Sequence, residues 1–129
     1  GLKFIRLNII QLDVSGLPMG QDEMNLIGSC ANLEWLELDQ TPVTDTEMET
    51  LNQLSKLKTL KTHSTSISDG SIAVFNKMEA LREVYLWNTQ ISANGLKDLK
   101  SKNPMLRIEE GIAKELRNSF VVSDSLKER

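Results

Sequence analysis

LEWLELDQTPVTDTEMETLNQLSK, residues 33–56, aligns without a gap with LKTLKTHSTSISDGSIAVFNKMEA, residues 57–80, and with LREVYLWNTQISANGLKDLKSKNP, residues 81–104. The same 24-residue spacing extends back to Ile9 and forward from Met105 to Gly111. A fixed period of this length is typical of proteins that stack copies of one supersecondary unit. The period therefore sets the order of the structural elements along the chain.

Each unit is predicted to form a short strand followed by a helix. The strand alternates in period two, so one set of side chains faces the core and the other set faces away. The core columns are Ile9, Leu33, Leu57, Leu81, Met105; Leu12, Leu36, Leu60, Val84, Ile108; and Val14, Leu38, Thr62, Leu86, Glu110. Three-residue spacing predicts a buried helix face made of Met24, Ile27, Cys30; Met48, Leu51, Leu54; Ile72, Phe75, Met78; and Leu96, Leu99.

Polar residues recur at the bend between strand and helix. A threonine column is predicted to satisfy backbone groups of the neighbouring turns; its members are Thr41, Thr65 and Thr89. Thr44 and Glu47 have the spacing of a capping box, and Ser68 and Ser92 occupy the same N-cap column. These residues are interpreted as structural.

The pattern L-x-x-L-x-L-x-x-T-x-[IV]-[TS]-[DA], as in LEWLELDQTPVTD and LREVYLWNTQISA, resembles the leucine-rich repeat in its bacterial variant with threonine. More narrowly, the order FIRLN, LDVSG, YLWNTQIS and NPMLRIEEG is similar to repeat domains of membrane-associated, cytochrome-c-like proteins of the bacterial envelope. The resemblance implies a periplasmic or cell-envelope location within a larger protein. The sequence departs from the pattern at Thr62 and lacks C-x-x-C-H, so no haem attachment is expected.

The predicted fold class is α/β: a right-handed leucine-rich-repeat solenoid of about four repeats, with a concave parallel sheet and convex helices. The predicted domain bounds are an N-terminal cap at 1–8, repeats at 9–32, 33–56, 57–80 and 81–104, a partial repeat at 105–111, and a C-terminal capping helix or tail at 112–129.

Composition excludes several classes of function. The formal net charge of −3 and pI near 5.2 argue against nucleic-acid binding, which needs a basic surface. No apolar run approaches the length of a membrane span, so we expect no direct membrane insertion of this segment. The single cysteine, Cys30, excludes an internal disulfide and is expected in the core. We expect no cofactor, no metal site and a monomeric isolated domain.

The side chains that point away from the core are predicted to form a binding surface on the concave face. Both tryptophans, the only tyrosine and the only histidine fall there. Parallel register should place Asp39, His63 and Trp87 in one lateral row and Glu37, Lys61 and Tyr85 in another. The candidate binding residues are Trp35, Glu37, Asp39, Lys61, His63, Glu83, Tyr85 and Trp87.

Two readings of these rows remain open, since cross-strand pairs also stabilise a sheet without any ligand. The favoured function is a non-enzymatic module that binds a protein or glycan, and the alternative is an architectural spacer beside a redox or enzymatic domain. Catalysis is disfavoured because the Asp39 and His63 pair lacks a third member: Ser15 lies two strands from His63.

Overall fold

The computed structural model describes residues 9–111. The predicted cap at 1–8 and the predicted tail at 112–129 lie outside the described residues. Over the described range the strands are β1 (Gln11–Asp13), β2 (Trp35–Glu37), β3 (Thr59–Lys61), β4 (Glu83–Tyr85) and β5 (Arg107–Glu109). The α-helices are α1 (Gln21–Gly28), α2 (Asp45–Met48), α3 (Ile72–Lys77) and α4 (Ala93–Lys102), and two 3₁₀ helices cover Glu49–Gln53 and Asp69–Ser71.

The strands of the described range form one parallel sheet in the order β1-β2-β3-β4-β5. Each residue pairs with the residue 24 positions further on, as Leu36 does with Leu60. Backbone bonds continue past the strand ends, because Leu38 N donates to Lys61 O and Thr62 N donates to Tyr85 O. The predicted α/β class with a parallel sheet is confirmed.

The core lies between the sheet and the helices. The strand columns and the helix face meet there, and the largest fully buried side chains are Phe75, Met24, Leu33, Leu36, Leu38, Met48, Leu51, Leu54, Leu57, Leu60, Ile67 and Leu99. Cys30 is buried as predicted. Met105 was predicted in a core column but is 81% exposed. Within residues 9–111 the strand of its unit, β5, is the edge of the sheet, whereas Leu57 has a described unit on each side.

Thr62 breaks the leucine column for a reason that the structure supplies. Its side chain is fully buried, and its Oγ1 donates to the carbonyl oxygen of Tyr85 at 2.9 Å. A buried hydroxyl with a partner avoids the cost of about 1–3 kcal/mol that an unpaired one would carry. The departure from the pattern is therefore a hydrogen bond between neighbouring units.

The bend after each of the strands β1 to β4 contains a residue in the left-handed region at the same repeat position. These residues are Gly16 (φ 76°), Gln40 (φ 58°), Ser64 (φ 58°) and Asn88 (φ 53°). In three of these units the next residue is a threonine, whose hydroxyl donates to the carbonyl oxygen three residues earlier. The distances are 2.7 Å from Thr41 to Leu38, 2.8 Å from Thr65 to Thr62 and 2.8 Å from Thr89 to Leu86. The threonines are structural, but they bond within their own turn rather than to the neighbouring one.

Glycine is expected to stabilise the fold at a position with positive φ. Gln40 is exposed at φ 58°, where a side chain costs about 1–2 kcal/mol. We expect Gln40→Gly to raise the free energy of unfolding by about 1 kcal/mol, because the gain exceeds the extra entropy of an unfolded glycine. Gln53→Gly, at the end of a 3₁₀ helix, should lower it. Urea denaturation measures both changes, and a loss at Gln40 would contradict the argument.

The helix starts differ from the predicted capping pattern. Thr44 Oγ1 bonds the Glu47 carboxylate at 2.6 Å, so no side chain caps the backbone there. Ser92 does cap, accepting from Gly95 N at 3.0 Å. Ser68 instead donates both its N–H and its hydroxyl to the Asp45 carboxylate of the preceding unit. Helix starts of successive units are thus linked by a carboxylate, an arrangement that the sequence did not indicate.

The Asp45 link makes stability depend on pH. Burial raises the pKa of Asp45, but hydrogen bonds from Ser68 and Ser71 outweigh burial and leave the pKa below its ordinary 3.8. A lowered folded-state pKa adds stability above pH 3.8 that is lost as the pH falls through the folded value.

We therefore expect Asp45→Asn to lower the free energy of unfolding at pH 7 by about 1 kcal/mol after solvent screening. The difference from the parent should shrink below about pH 4. Denaturation at several pH values measures it. Asp98→Asn, which alters an exposed pair with Lys102, is the control and should change stability little. If the free energies of unfolding of the parent and Asp45→Asn differ by the same amount at every pH, the assignment of Asp45 is wrong.

Candidate functional site

Lys61 lies between two aromatic rings on the sheet face, the side of the sheet that points away from the core. Its Nζ is 5.0 Å from the ring centre of Trp35 on β2 and 4.8 Å from that of Tyr85 on β4. The same Nζ is 3.1 Å from Glu37 Oε1, which also accepts from Trp35 Nε1 at 3.1 Å. Two rings and one carboxylate therefore surround the ammonium group.

The charge of Lys61 is stabilised by this cage. Burial lowers the pKa of Lys61, yet the hydrogen bond and charge of Glu37 outweigh burial and raise the pKa above its ordinary value. The two side chains are each only about a fifth exposed, at 21% and 20%. The ammonium is thus protonated, partly desolvated and fixed in position, which strengthens its attraction to the ring faces.

A second row contains Asp39, His63 and Trp87, as the register predicts. The imidazole of His63 stacks on the indole of Trp87, with ring centres 4.1 Å apart and planes 9° apart. His63 Nε2 is 3.2 Å from Asp39 Oδ2, and His63 N donates to Asp39 Oδ1 at 3.1 Å. Gly111 lies against Trp87, where an added Cβ would meet the Trp87 Cβ at 2.5 Å. The ring of Trp87 is therefore held by neighbours and half-buried.

Asp39 is more enclosed than a surface carboxylate. Its side chain is 12% exposed. Burial raises the pKa of Asp39, and the charge and backbone N–H of His63 oppose that effect without cancelling it. The pair is a fixed hydrogen-bonded unit that joins two strands.

Ser64 adds a contact that the sequence analysis missed. Its Oγ is 3.1 Å from His63 Nδ1 and accepts from Asn88 Nδ2 at 3.0 Å. The order aspartate, histidine, serine is one that activates serine in hydrolases. Here, however, Ser64 and Asn88 occupy the left-handed turn position that the units share, so we interpret the hydrogen bonds of Ser64 as structural. The 24-residue spacing of Ser64 and Asn88 could have indicated their contact from the sequence.

The remaining candidate residue, Glu83, belongs to an ion-pair network on β4 and β5. Arg107 Nη1 is 3.2 Å from Glu83 Oε2, and Arg107 Nη2 is 3.1 Å from Glu109 Oε2. Tyr85 and Trp87 lie 5.5 Å apart at a 50° angle and connect the two aromatic rows. The structure therefore brings all eight candidate residues onto one surface, in three adjoining groups.

A shallow depression of about 400 Å³ opens at the β1 end of this face. It is lined by Gln11, Leu12, Asp13, Trp35 and Glu37. Trp35 thus forms one wall of the depression, with Lys61 on the side of β3. Asp13, the Cα partner of Glu37, lines the same depression but was not among the candidate residues.

In the part of the chain that the structure describes, no group of three or more His, Cys, Asp or Glu side chains could hold a metal ion. No helix between residues 9 and 111 is long and apolar enough to cross a bilayer. The contacts on the sheet face are aromatic stacking, cation–π contacts and charged hydrogen bonds.

Two solved structures share the fold of this chain. No protein-family model and no curated protein matches the sequence. A leucine-rich-repeat protein of Leptospira interrogans superimposes with a TM-score of 0.61 at 19% identity, over 79% of this chain and 25% of that one. The tropomodulin C-terminal domain of Caenorhabditis elegans superimposes with a TM-score of 0.69 at 16% identity, over 98% of this chain and 87% of that one.

The chain has a leucine-rich-repeat-like fold. Identities this low show the fold alone, because one fold supports many functions. The chain also spans only a quarter of the length of the Leptospira protein. The threonine variant of the repeat and the envelope location stay predictions.

Proposed function

We propose that this chain is a non-enzymatic module that binds a partner protein through its sheet face. The observation that carries the proposal is the aromatic surface formed by Trp35, Tyr85, Trp87 and His63. Its rings are fixed before any partner arrives, by a stack at 4.1 Å and by cation–π contacts near 5 Å. Rigid aromatic side chains lose little entropy on binding and are enriched among residues that dominate interfaces.

The leucine-rich-repeat-like fold supports the same function. A parallel sheet built from repeated units offers a continuous surface on which side chains at 24-residue intervals lie next to one another. Such repeat surfaces are extended and suit a macromolecular partner better than a small molecule. A glycan is the second partner class, since indole and phenol rings also pack against sugars.

Capture experiments with the full chain test the proposal. The parent, Tyr85→Ala and a convex-side control, Lys97→Ala, are immobilised and exposed to extract from the source organism and to a glycan array. We expect a partner that the parent and Lys97→Ala retain and that Tyr85→Ala releases. Retention by all three variants would move the interface off the sheet face, and absence of any partner would favour the architectural spacer.

The proposal also covers the architecture of the repeats and the protein that contains this module. We infer a right-handed solenoid of about four repeats with a concave sheet, supported by the constant 24-residue register and by the handedness of parallel crossovers. We also infer that the module belongs to a larger protein of the bacterial cell envelope. The resemblance of its repeats to repeat domains of envelope proteins supports this inference. A crystal structure of the larger protein and fractionation of the source cells test these two points.

A further inference from the structure

The sheet face carries an excess of negative charge. Among residues 9–111 it presents five acidic side chains, Asp13, Glu37, Asp39, Glu83 and Glu109, against two basic ones, Lys61 and Arg107. Lys61 contacts Glu37, and Arg107 contacts Glu83 and Glu109. Asp13, at the β1 end, is in none of these ion pairs, whereas Glu37, Glu83 and Glu109 each contact a basic side chain. A partner that binds there should bring positive charge.

The depression at the β1 end collects this charge beside an aromatic wall. Asp13 and Glu37 are Cα partners on adjacent parallel strands, so their carboxylates extend from neighbouring positions. Both line the depression, together with Trp35. Hydrogen bonds from the Ser15 hydroxyl and N–H hold the pKa of Asp13 below its ordinary value, so the group is ionised at neutral pH.

Two of these three groups, Glu37 and Trp35, already hold a cation at the neighbouring Lys61 site. On the β3 side of β2, the Lys61 ammonium contacts Glu37 and lies over the Trp35 ring. The depression repeats that chemistry on the β1 side with a second carboxylate in place of a second ring. A planar guanidinium can reach two carboxylates through separate N–H groups while stacking on indole, whereas an ammonium is a compact point charge.

We propose that the depression lined by Asp13, Trp35 and Glu37 is a subsite for an arginine side chain of an extended partner segment. This inference rests on the proposed function and names the chemistry of the partner. The segment would lie across the strands of the sheet face, with its arginine at β1 and its remaining contacts on the aromatic rows.

The indole N–H of Trp35 supplies the readout, because it donates to Glu37. The full chain, labelled with ¹⁵N, is titrated at low ionic strength with the peptide acetyl-Gly-Gly-Arg-Gly-Gly-amide and, separately, with its citrulline and lysine analogues. Trp35→Phe assigns the indole resonance. We expect a saturable shift of that resonance with the arginine peptide, a weaker response to lysine and none to citrulline, which has the same shape without the charge.

Two variants locate the interaction. Asp13→Asn should weaken the arginine peptide about tenfold, the loss expected for one charge-assisted hydrogen bond. Glu109→Gln removes one negative charge at the other end of the face and should change the affinity little. An unmoved Trp35 resonance, an equal response to citrulline or lysine, or equal weakening by both variants overturns the inference. Each of those results leaves the proposed function standing, since that is tested on Tyr85 and Trp87 with the partner itself.

Discussion

Replacing Leu57 with alanine is expected to lower the free energy of unfolding by about 2–5 kcal/mol. Leu57 is fully buried between the sheet and the helices. Truncation removes the transfer energy of the lost methyl groups and leaves a cavity that close-packed neighbours fill only in part. Urea denaturation followed by circular dichroism measures the change, with an unaltered m-value showing that the unfolding reaction is the same.

Met105→Ala is the matched control, because Met105 stands in the same repeat column as Leu57 but is 81% exposed. An exposed substitution of this kind should change stability by no more than about 0.5 kcal/mol. The pair therefore compares one sequence position in two environments. Equal losses would show that Met105 is covered in the folded chain, and no loss at Leu57 would refute the assigned core.

The second large effect is expected on binding. Trp87→Ala should weaken binding of the captured partner by about 2 kcal/mol or more, close to a thirtyfold rise in Kd. A loss of this size is typical of an aromatic residue at the centre of an interface. Trp87 stacks on His63 and contacts Tyr85, so its removal also frees two neighbouring rings. Calorimetric titration of the partner with parent and variant measures the loss.

Trp87 also supports the fold, because Gly111 packs against it. Truncation is therefore expected to cost stability as well, and binding must be measured at a temperature at which circular dichroism shows the variant folded. Trp87→Phe keeps a ring to stack on His63 and should retain most of both properties. A folded Trp87→Ala with parental affinity would remove this residue from the interface and favour the spacer function.

Much of the sheet face could be predicted from the sequence, because a constant period fixes which residues are lateral neighbours. The rows Glu37, Lys61, Tyr85 and Asp39, His63, Trp87 follow from counting 24 positions. Their contacts did not follow. The placement of Lys61 between two rings depends on rotamers, which periodicity does not specify.

The sequence failed where a residue's partner lies across units at an offset that the columns do not show. Asp45 lies in the first turn of α2, yet its carboxylate also accepts from Ser68, 23 positions away, a link that the repeat columns do not show. Ser64 was overlooked because its neighbour His63 was assigned to the strand face, while Ser64 itself sits in the turn at φ 58°. Both errors concern polar groups whose partners are chosen by local backbone geometry.

By itself, the sequence determined the alternation of strand and helix, the parallel register and the buried columns, because hydrophobic burial follows the spacing of apolar residues. Only the tertiary structure decided which members of a column are buried, as Leu57 is and Met105 is not. It also decided that Asp13 shares a depression with Trp35. Burial and charge pairing depend on what covers a side chain, and that depends on the units packed on either side.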